Sequence, residues 1–403
     1  MQLRKPGLVP QILIGVLLGA MVGMAMPGMA ERLGVLGQLF VGMLKAVAPL
    51  LVMVLVMSAI ANRHEAGLDG RKALITFGLY LLGTTSAALL ALLMSQAFPQ
   101  TIVLRETVEG SPPAEVSAVL LDVLFKLIDN PVNALLTGNF LGCLSWAILL
   151  GISFRRASEG FRRNLQTLAD GVSYIVRYVI RFAPVGIFGL VCTTVATVGL
   201  EALAGYASLA MLLVAAMLVM ALVVNPLIVF AVTHENPYPI VLRCLEESGI
   251  TAFFTRSSAA NIPVNLALSK KLGINEELYS VTIPVGATVN MAGTAITITV
   301  LTLAAVNTLG IEISLGGSLA LCLVAALAAC GASGVPSGSL LLVPLACSLF
   351  GISYDVAMQV VAVGFIISVI QDSTETALNS STDVVYTYAV DRMKGRTRGG
   401  SNP

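Results

Sequence analysis

The sequence predicts an all-α polytopic membrane protein with eight transmembrane helices and two re-entrant helical hairpins. Three observations predict this class: the composition, the number of long apolar stretches, and the polar breaks in three apolar regions. Of the 403 residues, 57% are hydrophobic and 11% are charged, whereas a soluble domain carries roughly 25% charged residues. The formal net charge of +1 predicts no nucleic-acid partner. The apolar composition makes the lipid bilayer the expected surroundings.

Eight apolar windows reach about the 20 residues that a helix needs to cross a bilayer. They are Leu8–Met26, Leu33–Ile60, Ala73–Phe98, Val132–Phe154, Phe182–Leu200, Ala202–Val232, Leu278–Ile311 and Val356–Tyr388. Basic residues cluster before the first window and after every second one. By the positive-inside rule, both termini are expected in the cytoplasm. The first window lacks a clear small-x-small cleavage site, so we interpret it as a span and not as a signal peptide.

Two uncharged regions are each divided into arms too short to span. Ile313–Tyr354 is split by the glycine-rich segment Gly331–Ser339, which leaves arms of roughly 18 and 15 residues. Pro237–Lys271 is split by Thr255–Pro263, and its second arm, Val264–Leu268, is far too short to cross. We expect two re-entrant hairpins. The first enters from the cytoplasm, and the second enters from outside because its central segment carries no Lys or Arg.

A third break interrupts the seventh window at Asn290–Thr294. Irregular backbone at membrane depth survives only where it is buried in protein or lines a cavity. Freed carbonyl groups at such a break can coordinate a cation, and helix N-termini favour a carboxylate.

The eighth window carries a polar stripe. Asp372, Asn379 and Asp383 fall within about 40° of one another on a helix, and Glu375 and Thr376 flank them. Ionisable groups at this depth mark a substrate or ion pathway. Two hairpins from opposite faces, a broken helix and a striped helix together are the pattern of an inverted-repeat secondary transporter.

Two other functional classes share some of these features. Gly331–Gly334 reproduces a short sequence found around the nucleophile of intramembrane serine proteases, but that chemistry needs a base. His64 and His234 both lie in polar loops. A channel needs rings of repeated ligands, whereas the polar residues here are asymmetric. We therefore expect no enzyme activity. The scattered histidines and cysteines predict neither a transition-metal site nor a cofactor.

At four motifs the chain resembles the glutamate-transporter-homologue family, the dicarboxylate/amino acid:cation symporters. These motifs are Arg256–Ser258, Asn290–Thr294, Gly334–Pro336, and the D-x6-N-x3-D spacing of Asp372, Asn379 and Asp383. Within the family the chain is most similar to the bacterial sodium:serine/threonine symporters. The resemblance implies an elevator-type homotrimer in the bacterial cytoplasmic membrane. Residues 1–235 would mainly form the scaffold, with spans 3 and 6 peripheral to the moving unit. Residues 236–391 would form the transport core and 392–403 a basic cytoplasmic tail.

The resemblance also implies the residues that bind substrate and Na⁺. Asp372 and Thr376 would hold the substrate ammonium, and Asn379 and the backbone amide of Ser258 its carboxylate. The full substrate-binding set is Arg256, Ser258, Thr294, Val335, Asp372, Glu375, Thr376 and Asn379. The Na⁺-binding set is Gly286, Thr288, Asn290, Ala329, Cys330, Ala332, Asn379 and Asp383. Oxygen ligands suit Na⁺, and a zwitterion needs an anion and hydrogen-bond donors.

Two positions depart from the family pattern. Glu375 stands where members that carry acidic substrates have an arginine, which favours small neutral amino acids, L-serine and L-threonine first. We expect Arg256 to neutralise Glu375 or Asp372. This would leave a small polar pocket lined by Thr294, Thr376 and Ser339. Ala292 stands where many relatives have an aspartate, so a further Na⁺ site is expected to be weak or absent. Proton coupling, or a broader range of neutral amino acids or dicarboxylates, stays an alternative because Glu375 could carry a proton.

Overall fold

The computed structural model describes residues 8–62, 70–104, 125, 127–330 and 337–393. Within these ranges the regular structure is helical. The N-terminal helices are α1 (Leu8–Ala25), α2 (Pro27–Ala61), α3 (Gly70–Ala97), α4 (Pro131–Thr137), α5 (Phe140–Phe154), α6 (Glu159–Arg181), α7 (Ala183–Val198), α8 (Glu201–Val219) and α9 (Asn225–Thr233). The C-terminal helices are α10 (Tyr238–Cys244), α11 (Ile250–Thr255), α12 (Ser258–Lys271), α13 (Glu276–Val289), α14 (Ala292–Thr308), α15 (Leu315–Ala329), α16 (Val343–Cys347) and α17 (Tyr354–Arg392).

Five helical stretches in the described ranges are long and apolar enough to cross a membrane. They are Pro27–Ser58, Arg71–Ala97, Leu203–Thr233, Glu276–Thr308 and Tyr354–Arg392. They correspond to the second, third, sixth, seventh and eighth predicted spans. The fifth qualifies only as the pair α6 and α7, which is bent by 48°, and the first and fourth are shorter apolar helices. The all-α membrane class is confirmed, whereas the count of eight spans and the two re-entrant hairpins stay predictions; the segments predicted as the first and second hairpin keep those names below.

Helix α6 was not predicted as an element. It alternates charged residues with the apolar positions Leu165, Ala169, Val172, Val176 and Ile180, which are buried and recur at helical spacing. This face packs against α2. The apolar-window search missed α6 because one face of the helix is polar throughout.

The first hairpin has a narrower break than the sequence predicted. Its first arm runs through α10, a π-helical turn at Leu245–Gly249, and α11. Only Arg256 and Ser257 then leave the helical conformation, because the Ser257 side chain accepts a hydrogen bond from the Ala260 amide and starts α12 at once. Helix α12 continues through Pro263 for 14 residues. The expected polar interruption up to Pro263, and the short second arm after it, were therefore wrong.

The second hairpin has one regular arm and one irregular arm. Helix α15 is capped by Ser314, whose hydroxyl accepts a hydrogen bond from the Gly317 amide. The returning arm runs as a 3₁₀ turn at Gly338–Leu342, helix α16, and a second 3₁₀ turn at Ser348–Phe350. The predicted tip residues Ala332, Ser333 and Val335 lie outside the described residues.

The seventh span is broken, as predicted, but over two residues. Helix α13 ends at Val289 and α14 begins at Ala292, so Asn290 and Met291 alone lie between them. Every residue of α14 from Ala292 to Val306 is buried. A helix that is covered on all sides lies inside the protein and not against lipid.

Helix α17 is the central element of the C-terminal half. It is 39 residues long, begins at the capping side chain of Ser353 and is buried along most of its length. Helices α3, α8 to α14 and α16 all contact it. The polar stripe predicted on the eighth span therefore faces protein on several sides. The division into a scaffold and a transport core stays a prediction.

Candidate functional site: a buried polar site around the last helix

Helix α17 carries the site on six buried polar positions. Their side chains are all at most 6% exposed: Gln371, Asp372, Glu375, Thr376, Asn379 and Asp383. Three of them are carboxylates. Groups of this kind are tolerated in a protein interior only with hydrogen bonds or counter-charges. The partners that surround them come from both hairpins and from the broken span.

Asp372 joins the two hairpins. Its Oδ2 lies 2.6 Å from Arg256 Nε at the end of the first hairpin's outgoing arm, and its Oδ1 accepts a hydrogen bond of 2.8 Å from the Ser337 amide in the second hairpin. Arg256 also donates to the Ser337 hydroxyl at 3.0 Å and to the Ser368 carbonyl at 3.3 Å. The sequence left Arg256 a choice between Asp372 and Glu375. The structure places it with Asp372.

Glu375 is surrounded by hydrogen-bond donors. Its Oε1 accepts from the Thr294 hydroxyl at 2.8 Å, and its Oε2 accepts from the Thr297 hydroxyl at 2.7 Å and from Gln371 Nε2 at 2.5 Å. Among the described residues no cationic side chain forms an ion pair with it. Uncharged donors therefore hold this carboxylate in place.

Sequence reasoning missed Thr297 and Gln371. Thr297 follows Thr294 by three residues, which puts both hydroxyls on one face of α14. Gln371 precedes Glu375 by four residues and also donates to Thr297 at 2.8 Å. Both could have been found from the sequence, because each lies three or four residues from a predicted site residue on the same helix.

Close backbone approach brings α14 to Glu375. A Cβ atom on Gly293 would lie only 2.9 Å from Glu375 Cα and from its carbonyl oxygen. The Gly293 amide donates to Asn379 Oδ1 at 2.7 Å, and Asn379 Nδ2 lies 3.3 Å from the Thr294 hydroxyl. The glycine of the predicted break thus lets the start of α14 dock on α17.

Four other residues were predicted to line the substrate pocket: Ser258, Val335, Ser339 and Thr376. The Thr376 hydroxyl donates to the Asp372 carbonyl of its own helix at 2.7 Å. Ser258 is buried in the first turn of α12, directly after the capping residue Ser257. Val335 lies outside the described ranges. The predicted pocket side chain Ser339 is buried in the returning arm of the second hairpin.

Asp383 and Asn290 form a second polar centre, deeper along α17. Asn290 Nδ2 donates to Asp383 Oδ1 at 2.9 Å and to the Asn379 carbonyl at 3.2 Å. Both side chains are fully buried. Asp383 Oδ2 and Asn290 Oδ1 find no hydrogen-bond partner in the part of the chain that the structure describes. Two buried oxygens without a donor fit a cation, because a cation is the partner that such acceptors lack.

Gly286 keeps this centre open. A Cβ atom there would meet Asp383 Oδ1 at 2.6 Å and the Tyr80 hydroxyl oxygen at 3.0 Å. The Tyr80 hydroxyl lies 3.1 Å from the Thr282 carbonyl and 3.3 Å from the Asp383 carbonyl. The sequence did not select Tyr80, since it belongs to α3. The structure places its hydroxyl group between α13 and α17.

The residues predicted for a second Na⁺ site are only partly described. The Thr288 side chain is exposed and donates to the Val285 carbonyl at 2.9 Å. Ala329 is buried at the end of α15, and Cys330 Sγ lies 3.4 Å from the Val289 carbonyl. The end of α15 thus meets the break between α13 and α14. Ala332 lies outside the described residues.

These contacts form a buried polar cluster beside a broken helix. Comparison with known families identifies the kind of protein. The family described as the sodium:dicarboxylate symporter family matches residues 8–393, nearly the whole chain. This is the glutamate-transporter-homologue family that the four sequence motifs indicated. Its members are secondary transporters and not enzymes, and with several apolar helices the chain is a multi-pass membrane protein. The chain belongs to the sodium:dicarboxylate symporter family.

Proposed function

We propose that this protein is a sodium-coupled symporter that imports small neutral amino acids, L-serine and L-threonine above all, across the bacterial cytoplasmic membrane. Both termini would be cytoplasmic, and the carrier would work as a homotrimer of elevator type. The observation that carries the substrate class is the position of Glu375. Its carboxylate accepts hydrogen bonds from Thr294, Thr297 and Gln371. Arg256 forms an ion pair with Asp372 instead.

This arrangement disfavours an acidic substrate on electrostatic grounds. The positive charge of Arg256 is balanced by Asp372, so Glu375 is left with its own negative charge. Two unit charges about 5 Å apart repel by about 3 kcal/mol at an effective dielectric constant of about 20. That energy corresponds to about 100-fold in affinity. A serine or threonine side chain carries no such charge and offers a hydroxyl for polar contacts.

Asp372 and Asn379 would bind the amino and carboxylate groups of the substrate. A carboxylate has about four lone-pair sites, and Arg256 and the Ser337 amide occupy two of those on Asp372. The others remain for an ammonium group. Thr376, Thr294 and the Ser258 amide, with Val335 in the second hairpin, would complete the contacts. The contacts on Asp372 come from Arg256 in the first hairpin and Ser337 in the second, so the site would form only when both hairpins are in place.

Asp383 and Asn290 would bind the first Na⁺. Their unpartnered oxygens, with the carbonyls of Gly286 and Asn379, make an all-oxygen ligand set, which suits a hard cation. A second Na⁺ would lie between the carbonyls of Thr288, Ala329, Cys330 and Ala332. Ala292 offers no carboxylate, which supports a lower number of coupled ions than in relatives with an aspartate there. Binding of Na⁺ and of substrate would favour each other reciprocally.

Uptake into proteoliposomes tests the proposal. Purified protein is reconstituted, a Na⁺ gradient and a pH gradient are imposed separately, and labelled serine is challenged with unlabelled amino acids. We expect uptake that needs the Na⁺ gradient and is competed by threonine and alanine. If unlabelled aspartate competed as well as unlabelled serine at the same concentration, the neutral-substrate assignment would be refuted.

Glu375 variants test the charge argument directly. Glu375→Gln keeps the size and most hydrogen bonds but removes the charge, so we expect aspartate to compete about 10-fold to 100-fold better than in the unmodified protein. Glu375→Arg should lose serine uptake and gain some binding of acidic substrates. Intact serine uptake with no gain of acidic substrates in Glu375→Arg would show that Glu375 does not line the pocket.

Proton coupling is the second candidate, and the burial of Glu375 without a cationic partner among the described residues favours it. A buried carboxylate that exchanges a proton with substrate binding could carry H⁺ instead of Na⁺. The pH-gradient arm of the same experiment separates the two. Uptake driven by an inward proton gradient without Na⁺ would support H⁺ coupling, and Glu375→Gln should then abolish it.

A further inference from the structure

Helix α6 exposes a row of tyrosine and arginine side chains. The rings of Tyr174 and Tyr178 lie 4.9 Å apart, edge to face, and their hydroxyl oxygens are 3.1 Å apart. The Arg177 guanidinium lies 5.8 Å from the centre of the Tyr174 ring, and that of Arg181 lies 5.2 Å from the centre of the Tyr178 ring. All four side chains are exposed. We call this row the tyrosine–arginine face.

The two arginines of this face are not neutralised by ion pairs in the described part of the chain. Among the residues that the structure describes, neither Arg177 nor Arg181 forms an ion pair, whereas Arg163 on the same helix pairs with Glu159 at 3.3 Å. From Arg155 to Arg181 the sequence contains six arginines and two acids, a net charge of +4. Guanidinium groups without a carboxylate are suited to bind phosphate oxygens in two-pronged hydrogen bonds.

The position of α6 points to the membrane surface. The opposite face of the helix is buried against α2, and α6 leads through a 48° bend into the apolar helix α7. Leu168 and Ile175 are exposed on the flank of the tyrosine–arginine face at 53% and 52%. Helices with a charged face, flanking apolar residues and tyrosines are typical of the zone where lipid headgroups meet the hydrocarbon core.

We propose that the tyrosine–arginine face binds the headgroups of anionic phospholipids. Arg177 and Arg181 would donate to the phosphate oxygens, and the two tyrosine hydroxyls would donate to phosphate or ester oxygens at the same depth. The rings hold the guanidinium groups in place before the lipid binds, which lowers the ordering cost of binding. An anionic headgroup is preferred over a zwitterionic one because the latter carries its own ammonium charge.

A second copy of the chain is the other occupant to consider. In the cyclic trimer proposed above, this face would meet a different surface of the next copy. Helices α1, α2, α4, α5 and α7 together contain one acid, Glu31 at the start of α2, so these neighbouring helices offer no set of carboxylates to pair with both arginines. The charge of the face therefore favours lipid.

Lipid binding to the purified full chain tests the proposal. The protein in a neutral detergent is titrated with short-chain phosphatidylglycerol or phosphatidylcholine, and bound lipids are counted by native mass spectrometry. Each arginine near a membrane surface contributes about fivefold. We therefore expect Arg177→Ala with Arg181→Ala to weaken phosphatidylglycerol binding by about 30-fold and phosphatidylcholine binding by less than threefold.

Two control variants sharpen the outcome. Arg163→Ala removes another exposed arginine of the same helix, one that is paired with Glu159, so it should change phosphatidylglycerol binding by less than twofold. Arg177→Lys with Arg181→Lys keeps the charge and should retain most of the binding, which separates charge from a folding defect. Equal binding of both lipids by the unmodified protein would overturn the proposal, and so would an equal loss in Arg163→Ala. The same holds for a disulfide between two copies in a Tyr174→Cys variant, because that would place a second copy on this face.

Discussion

Arg256 and Asp372 form a buried ion pair that ties the first hairpin to the last helix, with 2.6 Å between Nε and Oδ2 and both side chains at most 5% exposed. Ser337 in the second hairpin binds the other oxygen of the same carboxylate. Arg256 and Ser337 both have positive φ angles, of 51° and 58°. That region costs a non-glycine residue about 1 kcal/mol. One carboxylate therefore holds two strained hairpin positions, and a change at Asp372 is expected to reach both hairpins.

Removing one member of this ion pair should destabilise the protein strongly. Arg256→Ala leaves the Asp372 charge buried without its counter-charge, which typically costs about 3–5 kcal/mol. We expect the thermal unfolding midpoint of the detergent-purified protein to fall by several degrees or more. The double variant Arg256→Ala with Asp372→Ala removes both charges and should be less destabilised than Arg256→Ala alone. A double variant that is as unstable as the sum of the two single variants would contradict this account.

Asp383→Asn should weaken activation by Na⁺ and leave the fold intact. The variant keeps the size of the side chain but removes the negative charge of the carboxylate, whose Oδ2 has no hydrogen-bond partner among the described residues. The Na⁺ concentration for half-maximal uptake should therefore rise at least 10-fold. The control is Asp391→Asn on the same helix, whose carboxylate pairs with Lys72 at 3.5 Å. Unchanged Na⁺ activation in Asp383→Asn, together with a normal unfolding midpoint, would show that Asp383 does not bind the cation.

Gly286→Ala should weaken activation by Na⁺, although it adds only one methyl group. The added methyl group would meet Asp383 Oδ1 at 2.6 Å and close the space between Asp383 and Tyr80. Alanine favours a helix over glycine by about 1 kcal/mol. A loss of Na⁺ activation could therefore not be explained by a weaker helix. Gly78→Ala in α3 is the matched control, because its Cβ would have no atom within 4 Å. Equal Na⁺ activation in the two variants would show that the space at Gly286 is not used.

The loop before α4 should lose stability in acid. Asn139 and Asn133 donate hydrogen bonds to the Asp129 carboxylate, which lowers its pKa below the ordinary value. A lowered pKa in the folded state means that the contribution to stability is present above the unfolded pKa and is lost as the pH falls through the folded pKa.

Asp129→Asn tests the effect at this loop. We expect the gap in unfolding midpoint between this variant and the unmodified protein to be widest near neutral pH and to shrink below about pH 4. A gap that is the same at neutral pH and in acid would mean that the charge of Asp129 does not contribute.

Much of the C-terminal half could be predicted from local patterns. The stripe of Asp372, Asn379 and Asp383 is set by helical spacing within one element, and all three residues are buried. The break at Asn290 was visible because polar residues interrupt an apolar run. Its extent was overestimated, since Ala292, Gly293 and Thr294 already belong to α14. Local composition marks where a helix can break, but hydrogen bonds to neighbouring elements decide which residues leave it.

Residues that act across the chain escaped prediction. Tyr80 lies about 300 positions before Asp383, and its hydroxyl reaches that residue's carbonyl only because α3 packs beside α13 and α17. Thr297 and Gln371 are ordinary polar residues in sequence and become ligands of Glu375 through the close approach at Gly293. No periodicity contains that information.

The sequence by itself determined the membrane class, the polar stripe, the broken span and the family, because these depend on composition and on the spacing of residues within one element. Tertiary structure alone decided that Arg256 pairs with Asp372 and leaves Glu375 to uncharged donors, across 116 positions of chain. Two acids three residues apart on one helix are equivalent candidates for a distant arginine. The packing of the first hairpin against α17 fixes which of them lies within hydrogen-bond distance.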